Sequence, residues 1–429
     1  MKQIIKPVTS INGSLVVPGD KSISHRAVML GAIAKGETEI SGFLNADDCQ
    51  STIRVFRQLG TTIEQIDSTT YKVTGLGLRG LQEPTEILDV GNSGTTIRLI
   101  AGILAGQNIY TVLTGDSSIV KRPMKRVVEP LVQMGAIIDG RDNGNYAPLT
   151  IRGNALNGIT YQSKVASAQV KSAILFAGLY ADTTTTVIEP YLSRDHSEKM
   201  LSQFGAKLNI EEGRVTVWPI EELSGQKVIV PGDFSSAAFF IAAALIVPNS
   251  KLLIKNVGVN PARIGFLEAV IAMKGKVELI NQRNYGNEPV ADLLVESSEL
   301  EGIEISGEWI PKIIDELPLI AVLGCYAEGV TKVTSAKELR VKETDRIQSI
   351  HVGLTNLGVT VDELEDGFII EGKQSINGGV VSSFGDHRIG MALAIAGLAA
   401  KKQVVIERAE AISISYPQFF EDLAALCKD

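Results

Sequence analysis

Lysines and arginines of this chain collect at the polar openings of apolar segments: Lys21, Arg26, Arg98, Lys121, Arg122, Lys125, Arg126, Lys171, Arg194, Lys337, Arg340, Lys342, Arg346 and Arg388. The chain as a whole is acidic, with a formal net charge of −8. Arginine pairs with carboxylate or phosphate through two parallel hydrogen bonds, and lysine acts as a point charge. The run KRPMKR (Lys121–Arg126) puts four cations in six residues, which repel unless anions lie near. Any one of these side chains alone also fits a solvated surface charge. Together they predict a small, strongly anionic ligand. Two carboxylates are candidates for proton transfer beside it. Asp315, in IIDELPLIAV, adjoins an apolar run. Burial there would favour a proton-accepting carboxyl, and the position equally fits a helix N-cap. Glu343, in RVKETDR, lies among Arg340, Lys342 and Arg346, as an acid/base group or as part of an ion-pair network. The four histidines (His25, His196, His351, His387) stand isolated with no HExxH spacing, so no catalytic metal is expected.

The elements that must carry these groups repeat. A Ser/Thr-rich opening followed by an Ala/Leu/Ile-rich helix starts at 20, 92, 167, 233, 315 and 386. Between the copies run amphipathic helices of the form apolar-x-x-apolar-Gly, closing at Gly60, Gly135, Gly205, Gly275 and Gly358, where glycine suits a left-handed C-cap. A sixth copy, FFEDLAALC, lacks the glycine. Alternating stretches with hairpin character follow, such as AKLNIEEGRVTVWP. The unit is therefore helix, strand, helix and two paired strands, six times over. VPGDKSISHR at Val17 and VPGDFSSAAF at Val230 open the two halves. The second copy, with Phe234, Ala238 and Phe239 where the first has Lys21, His25 and Arg26, reads as packing. The fold class expected is α/β: two similar domains, each of three repeated units with buried parallel helices and surface sheets. The domains expected are 18–228 and 1–17 plus 229–429, with the active site in the cleft between them. A helix start offers unpaired N–H groups and partial positive charge, so six such starts suit an anionic ligand. GNSGTTIR (Gly91–Arg98) fits this role but lacks the GK[ST] ending of a nucleotide-binding P-loop.

Composition removes other classes. Aromatic residues are only 5%, too few for base-stacking platforms, and the acidic balance disfavours nucleic acid or an anionic membrane. The most apolar stretches are too short to span a bilayer. Cys49, Cys325 and Cys427 form no CxxC pair, and the N-terminus lacks the apolar run of a signal peptide, so a cytoplasmic, reduced setting is expected.

PGDKSISHR, GNSGTTIR, KRPMKRVVEPL, SAQVKSAILFAGL, LRVKETDRI and FGDHRIGMA closely resemble the 5-enolpyruvylshikimate-3-phosphate synthase family, in order over essentially the whole chain. The resemblance implies the enolpyruvyl transferase fold. It implies transfer of the enolpyruvyl group of phosphoenolpyruvate to the 5-hydroxyl of shikimate 3-phosphate, through a tetrahedral intermediate, with release of phosphate and no cofactor. By position, Lys21, Ser22, Arg26, Ser167, Ala168, Gln169, Arg194, Asp315 and Lys342 would bind shikimate 3-phosphate. Lys21, Gly94, Arg122, Gln169, Arg346 and Arg388 would bind phosphoenolpyruvate. Asp315 would accept the 5-hydroxyl proton, and Lys21 and Glu343 would handle the others. Ala168, Glu338 and Ile414 depart from a serine, an asparagine and a lysine of the better-known form, and RDHSE (Arg194–Glu198) is similar to the family's second class. A monomer without nucleic-acid or membrane partners is expected. The alternatives are an enolpyruvyl transferase acting on UDP-N-acetylglucosamine, disfavoured because GDSSIVKRPMKR lacks that enzyme's loop cysteine, and a non-catalytic anion-binding protein.

Overall fold

The computed structural model describes residues 1–428 and divides into two compact units. The first unit comprises Gly19–Val230 with Tyr285–Glu288; the second comprises Met1–Pro18, Pro231–Asn284 and Pro289–Asp429. Among the described residues each unit holds three sheets, one per sequence repeat.

One strand plan recurs. In the first unit Tyr110–Thr114 pairs in parallel with Leu88–Asp89 and antiparallel with Tyr146–Arg152, which pairs with Ile137–Gly140. The same order joins Thr160–Gln162, Thr185–Ile188, Arg214–Val217 and Leu208–Glu211. In the second unit it joins Glu304–Ile305, Val330–Val333, Gly367–Glu371 and Asp362–Leu364. The chain's first strands complete the second unit's other sheets. Ser10–Val16 runs parallel to Lys251–Gly258, and Lys2–Ile5 pairs antiparallel with Val404–Glu407.

The first helix of every repeat is apolar on all sides and therefore buried. Phe234–Ile246 is the extreme case: every residue from Phe234 to Leu245 is buried. Full burial of a phenylalanine such as Phe240 contributes about 2–3 kcal/mol. The intervening helices are two-faced. Asp47–Gln58 turns Cys49, Ile53 and Phe56 inward and leaves Arg54 and Arg57 exposed.

Five of the six buried helices are capped by their own N-cap side chain. Asp20 accepts from the Ile23 amide, Ser93 from Thr96, Ser167 from Val170, Asp233 from Ser235 and Asp386 from Arg388. The sixth, Leu317–Tyr326, has Glu316 at its N-cap without a side-chain cap bond, so Asp315 is not a cap. Gly60, Gly135, Gly205 and Gly358 take the positive φ expected of helix C-caps. At the fourth position the expectation fails. The left-handed residue is Lys274 (φ 66°), and Gly275 serves a close approach, since a Cβ there would meet the Val270 carbonyl at 2.8 Å.

Candidate functional site

In the first unit, three of the buried helices bring their openings together as one cationic cluster. Lys21 starts the helix Lys21–Ile33, and its ammonium lies 3.0 Å from the Asp48 carboxylate. One turn on, Arg26 is 3% exposed. Its Nε donates to Ser197 Oγ at 2.6 Å, Nη1 to the Ser22 carbonyl at 2.9 Å, and Nη2 to Ser172 Oγ at 2.9 Å. Ser172 also bonds the Ala168 carbonyl, so Ser22, Arg26 and Ala168 share one network. Burial lowers the Arg26 guanidinium to about 10, against the pull of Glu198 and Asp20, and the charge of Arg194 acts in the same direction as burial.

Gln169 joins this group to the opening of the helix Gly94–Ala105. Its Oε1 accepts from Arg98 Nη1 at 2.8 Å and its Nε2 donates to Thr95 Oγ1 at 3.2 Å. Arg122 Nη2 donates to Asn92 Oδ1 at 2.9 Å. A Cβ on Gly94 would sit 2.9 Å from Arg98 Nη1 and 3.0 Å from Arg122 Nη1, so the bare glycine lets two guanidiniums approach the helix start. Arg98 and Asn92 join the predicted residues at this opening, Arg98 through Gln169 and Asn92 through Arg122. The glycine-asparagine opening was their signal.

Lys171 behaves otherwise. Its sequence position groups it with the ligand-seeking cations, yet it is 1% exposed and lies 2.8 Å from Glu189 and 2.7 Å from Glu198. Burial favours its neutral form, but those two carboxylates hold its pKa above the usual lysine value. Burial outweighs Lys171 at Glu198 and pushes that carboxyl up. Glu189 in turn accepts from the Ser167 amide at 3.2 Å, so the triad holds the start of the helix Ala168–Gly178.

Two histidines expected to stand isolated are built into networks. His196 Nδ1 lies 2.8 Å from Glu288, with Asp195 near, and Lys199 stands 3.2 Å from Asp195 and 3.7 Å from Glu288. An ammonium already supplies the cation for that acidic pair. His25 is fully buried, and its Nδ1 meets Thr52 Oγ1 at 2.6 Å. From there a chain runs through Thr96 to Ser93, tying the openings of two helices. Burial, with the charges of Lys21 and Arg26, holds His25 well below its usual 6.5. The unfolded chain then binds a proton near pH 6.5 that the folded chain refuses. This contribution to stability is whole above pH 6.5 and is lost as pH falls from there toward the folded pKa, by about 1.4 kcal/mol per pH unit. His25→Asn should flatten the acid limb of stability against pH by that slope, read from urea midpoints between neutral and mildly acidic pH. An unchanged slope would exclude His25 as its source.

In the second unit, Arg346 is the hub. It is 1% exposed, and its Nε donates to Asp386 at 2.8 Å, Nη2 to Glu343 at 2.6 Å and Nη1 to Asp315 at 3.3 Å. Burial opposes its charge, but Asp386, Glu343 and Asp315 together drive its pKa above the ordinary arginine value. Lys342 Nζ lies 3.7 Å and Arg388 Nη2 3.8 Å from the Asp315 carboxylate. Asp315 thus faces three cations rather than the apolar pocket expected of it, because the apolar run after it turns away as a helix. Glu343 pairs with Arg346, while Arg340, expected beside it, is taken by Asp345 at 2.7 Å and Glu363 at 2.9 Å.

Of the five predicted residues of this unit, Asp315 and Glu343 pair with the buried Arg346, and Lys342 and Arg388 lie against Asp315. In the first unit Ser22, Arg26 and Ala168 share one network, Gln169 joins Arg98, Arg122 is held by Asn92 beside Gly94, Lys21 pairs with Asp48, Ser167 is held by Glu189, and the charge of Arg194 is felt at Arg26. Among the described residues no helix is long and apolar enough to cross a membrane.

Comparison with known proteins gives one answer. Residues 5–423 match the model of the family EPSP synthase (3-phosphoshikimate 1-carboxyvinyltransferase). A protein of Geobacter sulfurreducens named 3-phosphoshikimate 1-carboxyvinyltransferase is 54% identical over 96% of both chains. One of the same name from Brevibacillus brevis is 55% identical over 98% of this chain and 99% of its own. The EPSP synthase of Acinetobacter baumannii superposes with a TM-score of 0.89 at 40% identity, covering 99% of this chain and 98% of that one. The enolpyruvyl transferase NikO of Streptomyces tendae, 16% identical, shares the fold with a TM-score of 0.80 over 99% of this chain and 96% of its own.

Proposed function

The chain belongs to the EPSP synthase family, and on that premise we propose which of its residues carry the family's reaction. It is a 3-phosphoshikimate 1-carboxyvinyltransferase, which transfers the enolpyruvyl group of phosphoenolpyruvate to shikimate 3-phosphate in aromatic amino acid biosynthesis. In the first unit, Lys21, Ser22, Arg26, Ser167, Ala168, Gln169 and Arg194 are assigned to shikimate 3-phosphate and Lys21, Gly94, Arg122 and Gln169 to phosphoenolpyruvate; in the second unit, Asp315 and Lys342 are assigned to the former and Arg346 and Arg388 to the latter.

The grouping of Asp315 and Glu343 on Arg346 carries this reading, because it sets two carboxylates beside cations that can receive an anionic substrate. Asp315 takes the proton of the 5-hydroxyl as its oxygen bonds to C2 of phosphoenolpyruvate. The methylene carbon gains a proton and becomes a methyl, which gives the tetrahedral intermediate. The methyl then loses a proton, the C2–O bond to phosphate breaks, and the bridging oxygen leaves with the phosphate. Glu343 and Lys21 serve the proton transfers at the methylene and the bridging oxygen. The carboxylate and phosphate charges of the substrate meet fixed guanidiniums, which need no reorganisation during the reaction. The monomeric state and cytoplasmic setting expected from the sequence remain part of the proposal.

Phosphate release measured with phosphoenolpyruvate tests the reading. Release is expected with shikimate 3-phosphate and not with UDP-N-acetylglucosamine. Absence of release with shikimate 3-phosphate, or release with the nucleotide sugar, would overturn it.

A further inference from the structure

The second Pro-Gly-Asp turn opens a helix whose first residues looked like packing alone. Ser235, its second residue, is a buried hydroxyl, 4% exposed, at the centre of a polar chain. Arg263, 3% exposed, donates from Nη2 to Ser235 Oγ at 2.8 Å. Ser235 Oγ makes a short hydrogen bond to Glu316 Oε1, and Glu316 is 1% exposed. Arg388 Nη1 lies 3.4 Å from that same oxygen and 3.2 Å from the Asp315 carbonyl.

The direction of the chain is fixed by chemistry. Arginine only donates, so Ser235 accepts from Arg263 and its single proton must point to Glu316. Glu316 Oε1 accepts from both Ser235 and Arg388. Arg388 is thereby gripped along its Nη1 edge by two oxygens, the Glu316 carboxylate and the Asp315 carbonyl. Its Nη2 edge is turned to the Asp315 carboxylate at 3.8 Å. The Ser235 backbone cannot drift, since its amide is bound by Asp233 Oδ1 at 2.7 Å. The Arg263 amide is held in turn by the Asn260 carbonyl at 2.8 Å.

We infer that Ser235 and Arg263 are positioning residues for phosphoenolpyruvate binding, which act through Glu316 to orient the guanidinium of Arg388. This rests on the reading above that Arg388 binds phosphoenolpyruvate. Loss of the Ser235 hydroxyl frees the Glu316 carboxylate to rotate. Arg388 then spreads over more orientations, and the substrate carried by its outer edge binds less well. Shikimate 3-phosphate, read as held by other residues, is spared.

The test is steady-state kinetics with both substrates, together with thermal unfolding, for Ser235→Ala, Glu316→Gln, their double variant, Ser235→Thr and Arg388→Gln. KM for phosphoenolpyruvate should rise about tenfold in Ser235→Ala and in Glu316→Gln, as expected for a lost hydrogen bond to a charged group. KM for shikimate 3-phosphate should stay within about twofold. The double variant should be no worse than the more damaging single one, because both break one path. Ser235→Thr, which keeps the hydroxyl, should recover most of the loss. If Ser235→Ala does not fold, Glu316→Gln carries the same comparison. Parallel rises in both KM values that track a loss of thermal stability, or additive effects in the double variant, would overturn the inference. An unchanged phosphoenolpyruvate KM in folded Ser235→Ala and Glu316→Gln, with a raised one in Arg388→Gln, would overturn it alone. An unchanged value in Arg388→Gln would overturn the reading of Arg388 and the inference with it.

Discussion

Asp315→Asn should lower kcat by about 10²–10⁴-fold, the range for loss of a positioned proton acceptor. Asparagine keeps the size of the side chain and one acceptor oxygen, but it cannot take a proton. The fold should survive, because Arg346 keeps its bonds to Asp386 at 2.8 Å and Glu343 at 2.6 Å. KM for both substrates should change far less than kcat, since asparagine keeps an oxygen that can accept from the substrate hydroxyl and loses only the capacity to take its proton. Steady-state phosphate release measures this, with a urea transition to confirm folding. A kcat within about tenfold of the parent would remove Asp315 from the proton transfer and leave it a member of the ion-pair network.

The largest stability effect should come from Lys171→Met. Lys171 is the cation between Glu189 and Glu198, and all three side chains are almost without solvent. Removing one partner of a buried ion pair leaves an uncompensated charge and costs about 3–5 kcal/mol. The pH dependence has a definite sign. Glu198 already has a folded pKa above its usual 4.5 because of burial, so the folded chain binds more protons there than the unfolded one. Such a group destabilises the fold when charged, and that penalty is relieved as pH falls through its folded pKa. Without Lys171 the effect grows, so the variant should be closest to the parent in mild acid and furthest from it between neutral pH and about 10, below the point where the parent's own lysine begins to lose its proton. The raised pKa of Lys171 gives the parent the complementary limb: its stabilisation is whole below 10.5 and fades as pH rises through the folded value. The chain has two tryptophans, Trp218 in the first unit and Trp309 in the second. In a Trp309→Phe background, fluorescence follows the unfolding of the first unit alone. A loss below about 1 kcal/mol at every pH would show that the triad is not the ion pair described.

The repeat was readable in the chain because its cause is local. Apolar runs that bury all round, Asp or Ser at their openings, and glycines after the amphipathic helices are each set by neighbours within a few residues. Gly275 shows the limit even there, since Lys274 took the left-handed position. The partners of the charged groups were not readable, because they come from distant segments. Arg26 is held by Ser172 and Ser197, Arg346 by Asp386, and Lys171 by Glu189 and Glu198. A list of cations by position cannot separate Arg346, which gathers three carboxylates around a proposed site, from Lys171, which is spent on two. Asp315 carries the same lesson. Its sequence neighbours are apolar, while its spatial neighbours are Arg346, Lys342 and Arg388. The phenylalanines around Ser235 dominate the local pattern and mask its hydroxyl.

The central claim is that these carboxylates and cations add a proton to the methylene of phosphoenolpyruvate and later remove one. Running the reaction in deuterium oxide and reading the product by NMR tests it most directly. A transient methyl group must take its new hydrogen from the solvent side. The account predicts deuterium in the enolpyruvyl methylene of the product, formed together with inorganic phosphate. A product that carries the enolpyruvyl group with no deuterium in its methylene would contradict it.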